Sequence, residues 1–281
     1  MRRAVLVWAM AYGGLRLWFA TGHAPEWKLP GNDLLIPHWV AVAGCLLTAL
    51  VMLRRPGPGR IWPRLLWVLA AGWVAAAGFI LLDLVAAVLP GLGIPFDPLG
   101  MLSRLGAVTG AVLLARLAKR HQPDAEPWPD AVPIVGACLA VVGCLTRLAA
   151  QAVVGFDKTP YESNLSILLF EGGFILAGTL LPFLLVHKIG RYFPHRLLLV
   201  PAYTIGVGMT AYFAVGLIQM TVNAVQGKPA YGDVGLPESF FWVAVPAYVV
   251  WGVGLTLAAR GYQGAIRKTI DSECDLRVTQ R

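Results

Sequence analysis

Apolar runs of about 20 residues recur along almost the whole chain, and this length constrains the fold more than any other feature. A helix of about 20 residues crosses the hydrocarbon core of a bilayer, where backbone polar groups must be hydrogen-bonded within the protein. Only 14% of the residues are charged, whereas soluble domains carry about 25%. The sequence therefore predicts an all-α integral membrane protein.

Eight apolar runs are separated by breaks that are rich in proline, glycine and charged residues. The predicted transmembrane helices cover approximately residues 4–22, 34–53, 65–90, 100–117, 131–154, 165–187, 197–221 and 239–259. Along the chain, basic connections alternate with connections that hold at most one Lys or Arg, and both terminal segments are basic. The positive-inside rule then places both termini in the cytoplasm. Arg outnumbers Lys by 17 to 6, and this excess favours a bacterial plasma membrane.

The two halves of the chain resemble each other, which indicates an internal repeat. The segment around Arg16, GGLRLWFATG, aligns with the segment around Arg147, GCLTRLAAQAVVG, so that the two arginines are at equivalent positions. Similar spacings bring Asn32-Asp33 near Asn164, Arg64 over Arg196, and Asp97 over Asp233. An even number of spans gives both halves the same orientation. We expect two tandem four-helix repeats, residues 1–118 and 131–260, with a cytoplasmic linker at 119–130 and a cytoplasmic tail at 261–281.

The first span also has the outline of a cleaved signal peptide, because MRR precedes its apolar run. Arg16 interrupts that run, and the segment has a counterpart in the second half. Both observations favour a retained transmembrane helix.

Charged residues interrupt the predicted spans on the outer side of the bilayer midplane: Arg16, Asp83, Arg104, Arg147 and Glu171. A helical rise of 1.5 Å per residue places them roughly 6–11 Å beneath the outer surface. His38 and Gln151 lie at a similar depth. A charge near a helix centre costs about 2.5–3.5 kcal/mol on insertion scales, so we expect these groups to face one another and not the lipid.

Three interpretations of these charges are open. In the first, they form structural salt bridges, Arg16 with Asp83 and Arg147 with Glu171. In the second, the excess of three arginines over two carboxylates leaves a cation in an outward-facing cavity. In the third, Asp83 or Glu171 has a proton-coupled role. A guanidinium in the outward-facing cavity would bind a phosphate or carboxylate, so that the partner is a small anion or the headgroup of a membrane lipid. The candidate ligand-binding residues are Arg16, Arg147, Arg104, Gln151 and His38.

Three functions follow from these arrangements. The first is binding or transport of a small or lipidic anion. The second is a membrane-embedded enzyme acting on a lipid or isoprenoid, with Asp83 or Glu171 as the catalytic acid or base. The third is a non-catalytic accessory or immunity protein whose charges are structural. The sequence decides neither among them nor the oligomeric state.

Metal, cofactor and nucleic-acid binding are not predicted. The four cysteines form no CxxC pair and the five histidines are scattered, so no metal-ligand spacing is present in the sequence. No HExxH, GxSxG or P-loop pattern occurs. The net charge of +8 comes mainly from connections between spans, where basic residues set the topology.

Overall fold

The computed structural model describes residues 1–28, 33–54, 61–122, 129, 131–155, 165–230 and 236–279. This part of the chain is helical and contains no strand. The chain divides into two compact units, unit 1 (Met1–Ala125) and unit 2 (Glu126–Arg281). Asn32, Asn164, Asp233 and most of the predicted linker lie outside the described residues.

Unit 1 is built from α1 (Arg2–Trp18), α2 (His38–Leu53), α3 (Ile61–Ala76), α4 (Ile80–Val88) and α5 (Pro98–His121). Helix α1 packs against α2 and α5, and α3 packs against α5. Trp8 donates a hydrogen bond to the Gly106 carbonyl, and Tyr12 donates one to the Ser103 carbonyl, both at 2.8 Å. These bonds join α1 to α5 and fix which face of α1 points into the unit.

Unit 2 is built from α6 (Ala131–Val154), α7 (Leu165–Ile175), α8 (Leu181–Val186), α9 (His195–Val225) and α10 (Glu238–Thr279). A π-helical turn, Leu176–Leu180, joins α7 to α8. Helix α10 packs along α6 and α9, and α8 packs against α6. A Cβ at Gly143 would lie 2.6 Å from the Ala247 carbonyl oxygen, so the small residue allows the backbones of α6 and α10 to approach.

The described helices are compatible with a multi-pass membrane protein. Within the described residues, the helical stretches long and apolar enough to span a membrane number six: Arg2–His23, Pro98–His121, Ala131–Val154, Leu168–Val186, His195–Val225 and Glu238–Ile266. Many of their large apolar side chains are exposed, as lipid contact requires; Leu102 is 67% and Val153 is 88% exposed.

The other two predicted spans differ from single transmembrane helices. Helix α2 has 16 residues and is therefore about 24 Å long, less than the hydrocarbon thickness of about 30 Å. Helices α3 and α4 are bent by 46° where a continuous span over 65–90 was predicted. The total of eight spans and the repeat remain predictions.

The bend between α3 and α4 has a physical cause in the segment that precedes α2. Leu34 is 2% exposed, and the Leu35 amide donates a 3.0 Å hydrogen bond to the Ala76 carbonyl. This carbonyl ends α3, and the next turn is closed by a tighter bond from the Ile80 amide to the Ala77 carbonyl. The segment around Leu34 thus lies within unit 1 and interrupts the third predicted span.

Most of the predicted tail is helical. Helix α10 continues past residue 259, where the last predicted span ends, and reaches Thr279.

Candidate functional site

Arg16 lies at the centre of a buried polar cluster in unit 1. Its side chain is 0% exposed, and Nη1 donates hydrogen bonds of 2.8 and 2.7 Å to the two carboxylate oxygens of Asp33. Nη2 donates to the hydroxyls of Tyr12, one turn earlier on α1, and Ser103 on α5. His38 Nδ1 lies 3.4 Å from Arg16 Nη1 and 3.6 Å from Asp33 Oδ1. The cluster therefore joins α1, α5 and both ends of the segment that precedes α2.

Arg104 holds the same segment from a second side. Its Nε donates a 2.5 Å hydrogen bond to the backbone carbonyl of Asp33, and its Nη1 donates one to Asp83 Oδ2. The side chains of Arg104 and Asp83 are both 0% exposed. Asp83 lies on α4, so Arg104 connects α4 and α5 to the residue that neutralises Arg16.

The predicted pairing of Arg16 with Asp83 is wrong, because Arg16 pairs with Asp33 and Asp83 pairs with Arg104. In the sequence alignment of the two halves, Asp33 lies opposite Asn164, just before the second predicted span. Asp33 is not among the candidate site residues that the sequence predicts. The sequence nevertheless contains a signal for the pairing of Asp33 with Arg16, because Asp33 is an acidic residue on the same predicted membrane side as Arg16. With Asp33 included, the described buried pairs contain equal numbers of arginines and carboxylates, and the predicted surplus of one cation disappears.

Asp97 is a further buried carboxylate of unit 1 that the sequence analysis did not include in the site. It is 2% exposed and forms the N-cap of α5, where Oδ1 accepts a 3.0 Å hydrogen bond from the Gly100 amide. Its Oδ2 accepts a 3.3 Å hydrogen bond from the Lys28 amide. An N-cap aspartate satisfies otherwise unpaired amides at a helix start, so Asp97 has a local structural role.

Arg147 and Glu171 form the corresponding ion pair of unit 2, as predicted. The pair is bidentate, with Nη1 and Nη2 of Arg147 each donating a 2.7 Å hydrogen bond to one oxygen of Glu171. The Nε of Arg147 donates a 2.7 Å hydrogen bond to the Tyr248 hydroxyl on α10. Phe174 and Tyr248 place their rings about the guanidinium, with centroids 6.0 and 5.9 Å from its central carbon. Helices α6, α7 and α10 together build this site.

Gln151 lies one turn beyond Arg147 on α6, on the same face of the helix. It is 3% exposed, and its Nε2 donates a 2.9 Å hydrogen bond to the Gly155 carbonyl near the end of the helix. Its side-chain amide is thus buried near Arg147 and is already engaged with the backbone.

The ion pairs of the two units differ in their exposure. The four side chains of the two pairs in unit 1 are each 0% exposed. In unit 2, the side chain of Arg147 is 8% exposed and that of Glu171 is 21% exposed. Among the described pairs with a buried arginine, only this one has a carboxylate that a ligand reaches without first opening the unit.

The described residues contain no group of three or more His, Cys, Asp or Glu side chains that would hold a metal ion. The sequence matches no protein-family model, no curated protein and no solved structure. The chemistry of the site therefore has to be inferred from its own geometry.

Proposed function

We propose that unit 2 binds a small or lipidic anion at Arg147, and that Glu171 leaves the guanidinium when it takes up a proton. The observation that carries this proposal is the partial exposure of the Arg147–Glu171 pair, at 8% and 21%, against 0% for both pairs of unit 1. A guanidinium presents two parallel N–H donors that match a phosphate or carboxylate. Glu171 occupies these donors in the structure and is the group that an anion replaces.

Charge neutrality requires the proton. Arg147 and Glu171 together carry no net charge, and they lie beside the aromatic rings of Phe174 and Tyr248. An added anion would leave an uncompensated negative charge in a weakly solvated site, which is unfavourable. Protonation of Glu171 restores a net charge of zero, so one proton is taken up with each anion bound and released with each anion that leaves.

The sealed pairs of unit 1 support a structural role for Arg16 and Arg104. Asp33 binds Arg16 through its carboxylate and Arg104 through its backbone carbonyl, so both arginines hold one segment in place. Asp83 is fully enclosed and paired with Arg104, which gives a substrate no access to it. Anion binding at unit 2 is therefore better supported than acid–base catalysis by Asp83.

The helix contacts within each unit support our proposal that the chain contains a tandem repeat. In unit 1, α1 contacts α2 and α5, and α3 contacts α5. In unit 2, α6 contacts α8 and α10, and α9 contacts α10. Counted by predicted span, the first contacts the second and fourth, and the third contacts the fourth, in both units; in unit 2 the second span, through α8, also contacts the third and fourth. With basic connections in the cytoplasm, the Arg147 site lies toward the outer surface and exchanges its proton and anion on that side.

The test uses anions that do not titrate between about pH 5 and pH 8, so that any proton uptake belongs to the protein. Binding of two monoanions, methanesulfonate and dihexanoyl phosphatidylglycerol, is measured by calorimetry in detergent, in buffers with different ionisation enthalpies. We expect uptake of one proton per anion in the wild type, and an affinity that weakens as the pH rises. Tighter binding of methanesulfonate identifies a small anion as the ligand class, and tighter binding of the lipid identifies a headgroup.

Glu171→Gln distinguishes the proposal from a purely structural ion pair. This variant keeps the size of the side chain but leaves Arg147 without a counter-charge, so we expect tighter anion binding that no longer depends on pH. Arg147→Lys keeps the positive charge but lacks the two parallel N–H donors of the guanidinium, so it should weaken anion binding. Glu238→Gln, at an exposed acid at the start of α10, should behave as the wild type. If neither the wild type nor Glu171→Gln binds either anion, the proposal is wrong.

A further inference from the structure

An open apolar groove lies on unit 2 between α6 and the end of α8, with a volume of about 400 Å³. One wall is a row of side chains one turn apart on α6, Ile134, Cys138 and Val142. The other wall is formed by Phe183, Val186 and His187. The volume is within the range of about 300–1,000 Å³ that is usual for ligand pockets.

The groove follows from the way that α8 approaches α6. The close approach is at Gly178, in the π-helical turn before α8, where an added Cβ would lie within 2.5 Å of Cys144 Cβ. Further along, Pro182 and Leu185 are buried, but Phe183 is 50% exposed and its ring stacks on His187. The exposed face of α8 therefore leaves an apolar channel beside α6.

The end of the groove at His187 is basic. Lys188 follows it directly and Arg196 lies in the first turn of α9, and both are exposed. Within the described part of the chain, neither side chain forms an ion pair. The sequence from Phe183 to Arg196 contains no Asp or Glu. The connection that follows the groove at His187 thus carries exposed cations, and an apolar groove next to such cations is complementary to a lipid with an anionic headgroup.

We propose that this groove binds an acyl chain of an anionic phospholipid whose headgroup contacts Lys188 and Arg196. The basic residues lie where the helices end, at the level of headgroups, and Tyr192 there is 89% exposed, as expected of an interfacial aromatic residue. Anionic lipids attract basic groups next to a membrane surface, whereas zwitterionic lipids do not. The proposed occupant is therefore an anionic phospholipid such as phosphatidylglycerol.

This lipid site is separate from the proposed anion site of unit 2. Nine residues of α6 separate Cys138 from Arg147, which corresponds to about 13 Å along the helix. No residue of the Arg147–Glu171 site lines the groove. Occupancy of the groove therefore does not depend on whether Arg147 binds an anion.

The experiment uses Cys138 as a reporter within the groove. Cys138 is exposed whereas Cys45 and Cys144 are buried, so a bimane fluorophore is attached to Cys138 in a Cys274→Ser background. The protein is placed in nanodiscs with small mole fractions of nitroxide-labelled phosphatidylglycerol or phosphatidylcholine. We expect phosphatidylglycerol to quench the fluorophore at lower mole fractions, by about fivefold in relative affinity for each basic side chain that contacts the headgroup.

Two variants control the result. Val135→Cys with Cys138→Ser moves the label to a 53% exposed residue of α6 that does not line the groove, and both lipids should quench it equally. Lys188→Gln with Arg196→Gln should remove the preference for phosphatidylglycerol at Cys138. Equal quenching by both lipids at Cys138, or a preference that survives the neutralisation of Lys188 and Arg196, would overturn the proposal.

Discussion

Replacing Asp33 with asparagine removes the charge that neutralises Arg16 while keeping the shape of the side chain. The amide oxygen of the variant still accepts one hydrogen bond from Arg16, and the backbone carbonyl still accepts the bond from Arg104 Nε. What is lost is the counter-charge of a guanidinium that is 0% exposed. The free energy of unfolding should therefore reflect an uncompensated buried cation.

The expected loss can be worked out from this geometry. Removing one partner of a buried ion pair costs about 3–5 kcal/mol, because the remaining charge is poorly solvated. In a membrane protein the unfolded chain still offers hydrogen-bond partners to polar groups, which lowers such values. We therefore expect Asp33→Asn to lower the free energy of unfolding by about 3 kcal/mol, at the lower end of that range.

The assay is reversible unfolding in mixed micelles, followed by steric trapping or by titration with SDS. Arg16→Leu is measured alone and together with Asp33→Asn, because the double-mutant cycle isolates the interaction between the two side chains. We expect a coupling of about 2 kcal/mol. Glu26→Gln, at an exposed acid of unit 1, is the control and should change stability by less than about 0.5 kcal/mol. If Asp33→Asn behaves like Glu26→Gln, the pair does not stabilise unit 1.

Two further predictions test the packing of the helices. Gly143→Ala should destabilise unit 2 by about 1–3 kcal/mol in the same unfolding assay, because its Cβ would lie 2.6 Å from a backbone oxygen of α10. Gly264→Ala, with no atom within 4 Å of the added Cβ, should be tolerated, and equal effects of both variants would contradict the observed contact. Cys138 should react with a maleimide in detergent while Cys45 stays unmodified until the protein unfolds, as measured by intact-mass spectrometry. Equal labelling of the two thiols in the folded protein would show that the α1–α2 interface is open.

The functional proposal depends on the difference between the two units. Unit 1 encloses its arginines completely, and their hydrogen bonds hold the segment around Asp33 against α1, α4 and α5. Unit 2 uses the same chemistry in a bidentate pair that is partly exposed. Our proposal therefore assigns a structural role to the ion pairs of unit 1 and ligand exchange to the more exposed pair of unit 2.

The site was only partly predictable from the sequence, and the two units show why. Arg147 and Glu171 lie on neighbouring predicted spans at similar depths. Among the described residues of unit 2, they are the two charged residues at that depth, so their pairing could be predicted from depth alone. In unit 1, Asp33 and Asp97 lie on the same predicted membrane side as Arg16, in addition to Asp83 at a similar depth. Depth follows from position along a helix, but the choice among partners depends on helix rotation and on the path of the connection.

The sequence by itself determined that the chain forms long apolar helices and where six of them lie, because about 20 consecutive apolar residues have one stable form in a bilayer. It also determined that the interrupting charges need partners, because lipid cannot solvate them. The tertiary structure alone decided that Asp33 enters unit 1, that Leu35, two residues later, bonds to the end of α3 where the third span bends, and that Arg104 pairs with Asp83. These outcomes depend on contacts between segments distant in sequence, and no local pattern of residues specifies them.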